Sequence, residues 1–243
     1  MRYTAAAAAP AAFHCTHDMS THDPQETWQS RFHQMGLQEM QRLAGARPTT
    51  IAAKRFWFLR HGETEGNATR IIQHAEIPLN ANGFAQAERA AQALKDQPFT
   101  RIFGSTMTRA WQTAEAVARV TAKPLTPEPR LRERWFGDLV GTTSVGLNWS
   151  IDPSNGDRLA DFVERTCACA QDLLAIDEPT LLVAHGGNLY ALAMSLGAPL
   201  ELEYIANATP LLFEQGTDAQ GRVQWRISPL ALPAPDGKVL LPS

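Results

Sequence analysis

Two short apolar runs constrain the fold of this chain more than any other feature of its sequence. Residues 55–59 (RFWFL) and 180–184 (TLLVA) are each followed, directly or after one arginine, by a histidine and a glycine. Short continuous apolar runs bounded in this way are typical of strands that are buried on both faces. Such strands need helices on both sides, so we expect a parallel sheet with helical cover.

Helical patterns alternate with the predicted strands. We predict helices over residues 83–95 (capped by Asn80 or Asn82), from Ser105 or Thr106 to about 120, over 159–175 and over 188–196. Further strands are predicted at 100–104 and in a closing hairpin of 210–214 and 222–227, with 124–129 as a loop. The expected fold class is α/β, a three-layer α/β/α arrangement with a mostly parallel central sheet.

The predicted organisation has four parts: a disordered tail (1–24), an N-terminal helix and linker (25–50), the main domain (51–228) and an irregular C-terminal tail (229–243). The N-terminal helix is expected to be interrupted by Gly36 and to end at Gly45. The tail groups residue types that bind zinc, namely His14, Cys15, His17 and His22. No second half of a site follows at ligand spacing, so we expect no metal and no cofactor.

Composition excludes several classes of protein. A net charge of −3 argues against a nucleic-acid partner, because proteins that bind nucleic acids usually carry an excess of basic residues. No apolar run reaches the roughly 18 residues that a membrane span needs. The three cysteines are too few, and odd in number, for a disulfide framework, so a cytoplasmic location is expected. With 44% apolar and 19% charged residues, the chain has enough apolar side chains for a full core.

The chemistry concentrates where the predicted strands end. His61 and His185 each follow a buried strand, Arg60 precedes His61, and Arg109 falls in the first turn of a predicted helix. A cation at a helix N-terminus opposes the helix dipole, which a bound anion would compensate. Taken alone, each residue also fits a structural role. Together they predict a pocket for a tetrahedral dianion, in which an imidazole attacks phosphorus and Glu133 supplies a proton.

Five blocks of the sequence resemble, in the expected order over residues 54–215, the histidine phosphatase superfamily (phosphoglycerate mutase-like). The blocks are Arg60-His61-Gly62-Glu63-Thr64 with Asn67 and Pro78-Leu79-Asn80, then Ser105-Thr106-Met107-Thr108-Arg109-Ala110, then Leu131-Arg132-Glu133, then Gly156-Asp157, and finally Val183-Ala184-His185-Gly186-Gly187. One Arg-His-Gly triplet is a weak signal, whereas five ordered blocks are highly specific.

The resemblance implies a role for each matched residue. His61 would be the nucleophile that becomes phosphohistidine, and Glu133 the proton donor. The phosphoryl group would be bound by Arg60, Asn67, Arg109, His185 and the amide of Gly186, with Gln73 near another pocket residue. No metal is needed, because these cations neutralise the phosphoryl charge.

Departures from the family pattern favour hydrolysis. Where the mutase-type branch has a tyrosine and then an Asn-Lys pair, this chain has Phe136 and Thr142-Thr143-Ser144, and it lacks the paired arginines for a substrate carboxylate. We therefore expect a phosphatase acting on a small phosphorylated metabolite. A phosphoglycerate mutase-type transfer and a non-catalytic phospho-ligand binding module are the alternatives. Residues 135–157 and the N-terminal helix are expected to set specificity; the substrate and the oligomeric state stay open.

Overall fold

A six-stranded sheet forms the centre of the protein in the computed structural model, which describes residues 28–47, 49–233 and 239–240. Its strands are β1 (Arg55–Arg60), β2 (Arg101–Gly104), β3 (Leu125–Pro127), β4 (Thr180–Ala184), β5 (Pro210–Thr217) and β6 (Val223–Pro229). They lie in the order β3-β2-β4-β1-β5-β6. The first four are parallel, and β5 and β6 form an antiparallel hairpin beside β1. The prediction of a mostly parallel sheet is confirmed.

Six α-helices are described: α1 (Trp28–Gly45), α2 (Glu65–Ala68), α3 (Ala81–Leu94), α4 (Thr108–Thr121), α5 (Leu159–Leu173) and α6 (Gly186–Leu196). Short 3₁₀ helices cover Pro129–Leu131, Gly137–Leu139 and Leu202–Ile205. The N-cap of α3 is Asn80, whose Oδ1 accepts a hydrogen bond of 2.7 Å from the Gly83 amide. None of the described helices is long and apolar enough to cross a bilayer.

Both faces of the sheet are buried. Along β1, the side chains of Phe56 and Phe58 belong to one apolar cluster with residues of α5 and α6. The alternate side chains, Trp57 and Leu59, belong to a second cluster with residues of α3 and α4. Because successive strand residues point to opposite faces, helices cover both sides of the sheet. The predicted α/β/α arrangement is therefore confirmed.

The structure departs from the predicted elements at four places. Helix α1 continues through Gly36, where an added Cβ would lie 2.6 Å from the backbone nitrogen of Trp149; glycine permits this close packing. The N-cap of α4 is Met107, not Ser105 or Thr106. The predicted loop 124–129 contains the edge strand β3, paired with β2. In the C-terminal tail, β7 (Leu232–Pro233) pairs with β8 (Val239–Leu240).

The predicted tail 1–24, with its histidines and Cys15, lies outside the described residues.

Candidate active site

Two histidines meet at the carboxyl edge of the sheet because their strands are parallel neighbours. His61 follows β1 and His185 follows β4, and the His61 amide donates to the Ala184 carbonyl at 3.0 Å. The centroids of the two rings are 5.1 Å apart. Both side chains are almost fully buried, with 3% of His61 and 0% of His185 exposed. Helix cover alone would bury apolar residues here, so two buried imidazoles side by side indicate a built polar site.

The hydrogen bonds of His61 define its tautomer. Its Nδ1 lies 2.7 Å from the Gly62 carbonyl oxygen, which can only accept, so Nδ1 carries the proton. Its Nε2 accepts a hydrogen bond of 3.3 Å from Arg109 Nε. Burial, with the charges of Arg109 and Arg60 adding to it, holds the pKa of His61 well below its usual range. The ring is therefore neutral at pH 7, with the Nε2 lone pair facing a guanidinium.

His185 differs from His61 in the groups that its two ring nitrogens meet. Its Nε2 lies 2.9 Å from the Ser105 hydroxyl, which accepts a hydrogen bond of 3.3 Å from the Met107 amide. In the tautomer in which this hydroxyl donates to Nε2, the ring proton lies on Nδ1. That Nδ1 is buried and has no hydrogen-bond partner in the part of the chain that the structure describes. Burial lowers the pKa of His185 well below its usual range, and the charge of Arg109 lowers it further.

The buried Arg109 and the partly buried Arg60 complete the cationic side of the site. The Arg60 Nη1 donates to the Ile205 carbonyl, while its Nε is buried without a partner among the described residues. The Arg109 Nη1 donates to the His74 carbonyl at 3.0 Å and its Nη2 lies 3.4 Å from the Met107 sulfur. Burial lowers the pKa of both arginines, that of Arg109 to about 10, so both stay charged at pH 7. Buried N–H donors without acceptors are rare, and here they suit an anionic ligand.

Glu133 faces this group from the loop after β3. Its Oε2 accepts from the Gly187 amide and its Oε1 from the Arg134 amide, both at 3.0 Å. Gly187 sits in the first turn of α6, where an added Cβ would lie 2.3 Å from Glu133 Oε1. Only glycine leaves room for the carboxylate at this position. The close approach therefore depends on the second glycine after His185.

Two cavities share Glu133 in their linings. The larger, of about 560 Å³, is lined by His74, Ala75, Glu76, Pro129, Arg132, Glu133, Trp135, Asp157 and Arg165. The smaller, of about 210 Å³, is lined by Leu37, Met40, Arg60, Glu133, Trp149, Gly186, Gly187, Tyr190 and Ile205. Glu133 therefore borders both cavities, and a bound molecule can extend into either of them.

The remaining predicted residues lie around His61 and Arg60. Asn67 reaches the site through Asn207, whose Nδ2 donates to Asn67 Oδ1 at 3.2 Å and to the His61 carbonyl at 3.0 Å. Gln73 accepts a 2.6 Å hydrogen bond from the Thr64 hydroxyl. Gly186 is the first residue of α6, and an added Cβ there would lie 3.7 Å from Arg60 Nε.

Sequence reasoning missed two residues of the site. Ser105 was assigned to a helix cap, although it directly follows β2 and so lies at the edge where the two histidines are found. The position of Ser105 directly after a strand is the sequence signal that could have placed it beside His185. Asn207 follows a short 3₁₀ helix and carries no local pattern that points to His61.

The comparisons with known proteins agree with this geometry. A family model described as the histidine phosphatase superfamily (branch 1) matches residues 56–209. A glucosyl-3-phosphoglycerate phosphatase of Mycolicibacterium vanbaalenii is 30% identical over 211 residues, which cover 73% of this chain and 94% of that protein. A probable phosphoglycerate mutase of Proteus mirabilis is 34% identical over 165 residues, which cover 60% of this chain and 77% of that protein.

A solved structure of a mycobacterial glucosyl-3-phosphoglycerate phosphatase with VO3 gives a TM-score of 0.60 at 26% identity. The match covers 72% of this chain and 98% of that chain. The predicted resemblance and the prediction of a phosphatase-type enzyme are confirmed by these matches. The chain belongs to the histidine phosphatase superfamily (branch 1).

Proposed function

We propose that this chain hydrolyses phosphomonoesters of small metabolites, with His61 as the nucleophile. The observation that carries the proposal is a neutral His61 near two buried nitrogens, Arg60 Nε and His185 Nδ1, that have no hydrogen-bond partner among the described residues. A tetrahedral dianion would satisfy both donors and neutralise the arginines. Its phosphorus would lie against His61 Nε2, the ring nitrogen without a proton, once Arg109 Nε donates to the anion in place of that nitrogen.

In the first step, the His61 Nε2 attacks phosphorus in line and the phosphorus–oxygen bond to the alcohol breaks. Arg60, Arg109 and His185 hold the three non-bridging oxygens, so charge that develops there meets fixed donors. Glu133 gives its proton to the leaving alkoxide. The products of this step are the free alcohol, phosphohistidine and a Glu133 carboxylate.

In the second step, a water molecule replaces the alcohol. Glu133 takes one proton from the water as its oxygen attacks phosphorus, and the nitrogen–phosphorus bond breaks. Inorganic phosphate, neutral His61 and protonated Glu133 result, so the cycle closes. The larger cavity, which Glu133 borders, provides space for water next to this carboxylate.

Water is proposed as the acceptor, rather than a second substrate hydroxyl, because one arginine beside the site is already paired and because relatives are named as phosphatases. A mutase holds a doubly phosphorylated intermediate while it reorients, which needs further free cations. Arg165, in the larger cavity, is already paired with Asp157 at 3.2 Å and donates to the carbonyls of Arg130 and Arg132. Relatives named as phosphatases also support water as the acceptor. One is an adenosylcobalamin/alpha-ribazole phosphatase of Salmonella typhimurium, at 31% identity.

The proposal also places the enzyme in the cytoplasm. Cys167 and Cys169 are free and buried in α5, which suits a reducing compartment. A small phosphorylated substrate is the proposed partner, with no nucleic acid, since the chain carries a net charge of −3.

The test compares turnover of phenyl phosphate by the unaltered protein and by matched variants. Arg109→Ala removes a guanidinium from the site and should lower kcat/KM about 10²–10³-fold. Arg119→Ala, on the same helix α4, removes an exposed arginine that pairs with Glu88 and should change kcat/KM less than about twofold. Vanadate, a mimic of five-coordinate phosphorus, should inhibit the unaltered protein and not Arg109→Ala.

Two results would favour the alternatives. Interconversion of phosphoglycerates that depends on a bisphosphate primer would indicate a mutase. Stoichiometric binding of a phosphorylated ligand without release of phosphate would indicate a binding module.

A further inference from the structure

Helix α1 forms one wall of the smaller cavity, although it precedes the residues that match the family. Leu37 and Met40 of α1 face Trp149, Tyr190 and Ile205 across about 210 Å³. Apolar and aromatic side chains therefore make up most of this lining. The polar groups in it, Arg60 and Glu133, both belong to the proposed catalytic machinery.

Close packing fixes this wall to the site. Gly36 allows the backbone of α1 to approach Trp149, whose ring also lies over Gly187, 2.8 Å from where a Cβ would stand. The Trp149 ring meets Phe136 edge-on, with centroids 5.1 Å apart, and its carbonyl accepts from the buried Arg134 guanidinium. Trp149 thus contacts both α1 and Gly187, the glycine that leaves room for the Glu133 carboxylate.

The position of the cavity decides which part of a substrate would enter it. Arg60 and Gly186 border it on the side of the proposed phosphoryl site. Glu133, the proposed donor of a proton to the leaving oxygen, borders it as well. A group that starts at the leaving oxygen and extends past Glu133 therefore reaches Leu37 and Trp149.

We propose that this cavity is a leaving-group subsite, and that the substrates are phosphomonoesters whose alcohol carries an apolar or aromatic group next to the ester oxygen. A dry apolar cavity of about 150 Å³ holds a benzene ring, so about 210 Å³ accommodates one ring or a branched alkyl group. The inference rests on the proposed phosphatase activity and names its substrate class. Leu37 of α1 is a specificity-determining residue in it.

The test measures kcat/KM for phenyl phosphate and for glycerol 3-phosphate with the same preparations. The intrinsic reactivity of each ester is the same for every variant, so a change in the ratio of the two values reports recognition of the leaving group. Leu37→Ala should lower the ratio of phenyl to glycerol phosphate about tenfold, since it removes apolar contacts with the ring. Leu37→Trp should lower the ratio as well, because the indole fills the cavity.

Leu43→Ala is the matched control. Leu43 is a half-buried leucine on the same helix that packs against the α5 cluster and does not line the cavity. It should leave the ratio within about twofold of the unaltered protein. Equal ratios in Leu37→Ala, Leu37→Trp and the unaltered protein would overturn the inference, as would an equal shift in Leu43→Ala. If His61→Ala retained turnover, the proposed function itself would fail, whatever the ratio.

Discussion

The two buried imidazoles have different roles because their hydrogen bonds differ. The carbonyl of Gly62 fixes the proton of His61 on Nδ1 and leaves Nε2 as a base. In the proposed mechanism the Ser105 hydroxyl, 2.9 Å from His185 Nε2, donates to that nitrogen, so the ring carries its proton on Nδ1 as a donor. One ring is therefore suited to attack phosphorus and the other to bind its oxygens. We therefore propose that Ser105 acts through His185, as a positioning residue.

Replacing Ser105 tests this division of roles. Ser105→Ala removes the group that fixes the His185 tautomer, so we expect kcat/KM for phenyl phosphate to fall about tenfold to hundredfold. Vanadate binding should weaken by a similar factor, and Ser105→Thr, which keeps the hydroxyl, should restore most of both. A merely structural role predicts lost thermal stability with unchanged vanadate affinity in the fraction that stays folded, and that result would contradict the assignment.

Single residues were predictable where a local pattern exposes them. His61 and His185 stood out because each directly follows a buried strand, and Arg109 because it opposes a helix dipole. The sequence predicts Ser105 or Thr106 as the cap of this helix, because serine and threonine favour that position. In the structure Met107 occupies the N-cap position of α4 without a side-chain hydrogen bond, and the Ser105 hydroxyl contacts His185. Asn207 joins His61 across 146 residues of sequence, a contact that no local pattern encodes.

The elements of the fold bring these residues together at one edge. Strands β1, β2 and β4 are parallel neighbours, so the residues that follow them converge there, and α6 begins beside them. Helices and buried strands were predictable from their periodicity, within a few residues at each end. Edge strand β3 was not, because three residues in a proline-rich stretch carry no alternating pattern. The continuity of α1 through Gly36 depends on packing against Trp149, which is a tertiary contact.

The start of α6 provides a test at this scale. Gly187→Ala places a Cβ 2.3 Å from Glu133 Oε1, so the carboxylate must move away from the leaving oxygen. We expect kcat to fall about 10²-fold or more, the usual contribution of a general acid. Gly45→Ala, at the end of α1, is the control, because an added Cβ there meets nothing within 4 Å. Unchanged kcat in Gly187→Ala would remove Glu133 from the mechanism.

The whole molecule stabilises a site that is unfavourable by itself, because two buried neutral imidazoles lie beside the buried Arg109 and the partly buried Arg60. Apolar clusters on both faces of the sheet provide the compensating stability. A bound dianion neutralises the cations, so it should stabilise the folded protein in proportion to its affinity. Helix α1 contributes Leu37 and Met40 to the lining of the smaller cavity.

The pH dependence of folding follows from the lowered pKa values of His61 and His185. The unfolded chain protonates both rings near pH 6.5, whereas the folded protein resists protonation to much lower pH. Below pH 6.5 the unfolded state binds more protons, so the free energy of unfolding falls by about 1.4 kcal/mol per pH unit for each histidine. Urea unfolding between pH 5 and 7 measures this slope. His185→Gln should reduce it by about half, and an unchanged slope would contradict the buried neutral pair.

The most direct test of the account is to trap the phosphorylated enzyme. Protein mixed with phenyl phosphate and quenched with base within milliseconds should carry one phosphate that is stable in base and labile in acid. Peptide mapping should place it on His61, and His61→Ala should carry none. Phosphate on another residue, or full turnover by His61→Ala, would contradict the proposal that His61 is the nucleophile.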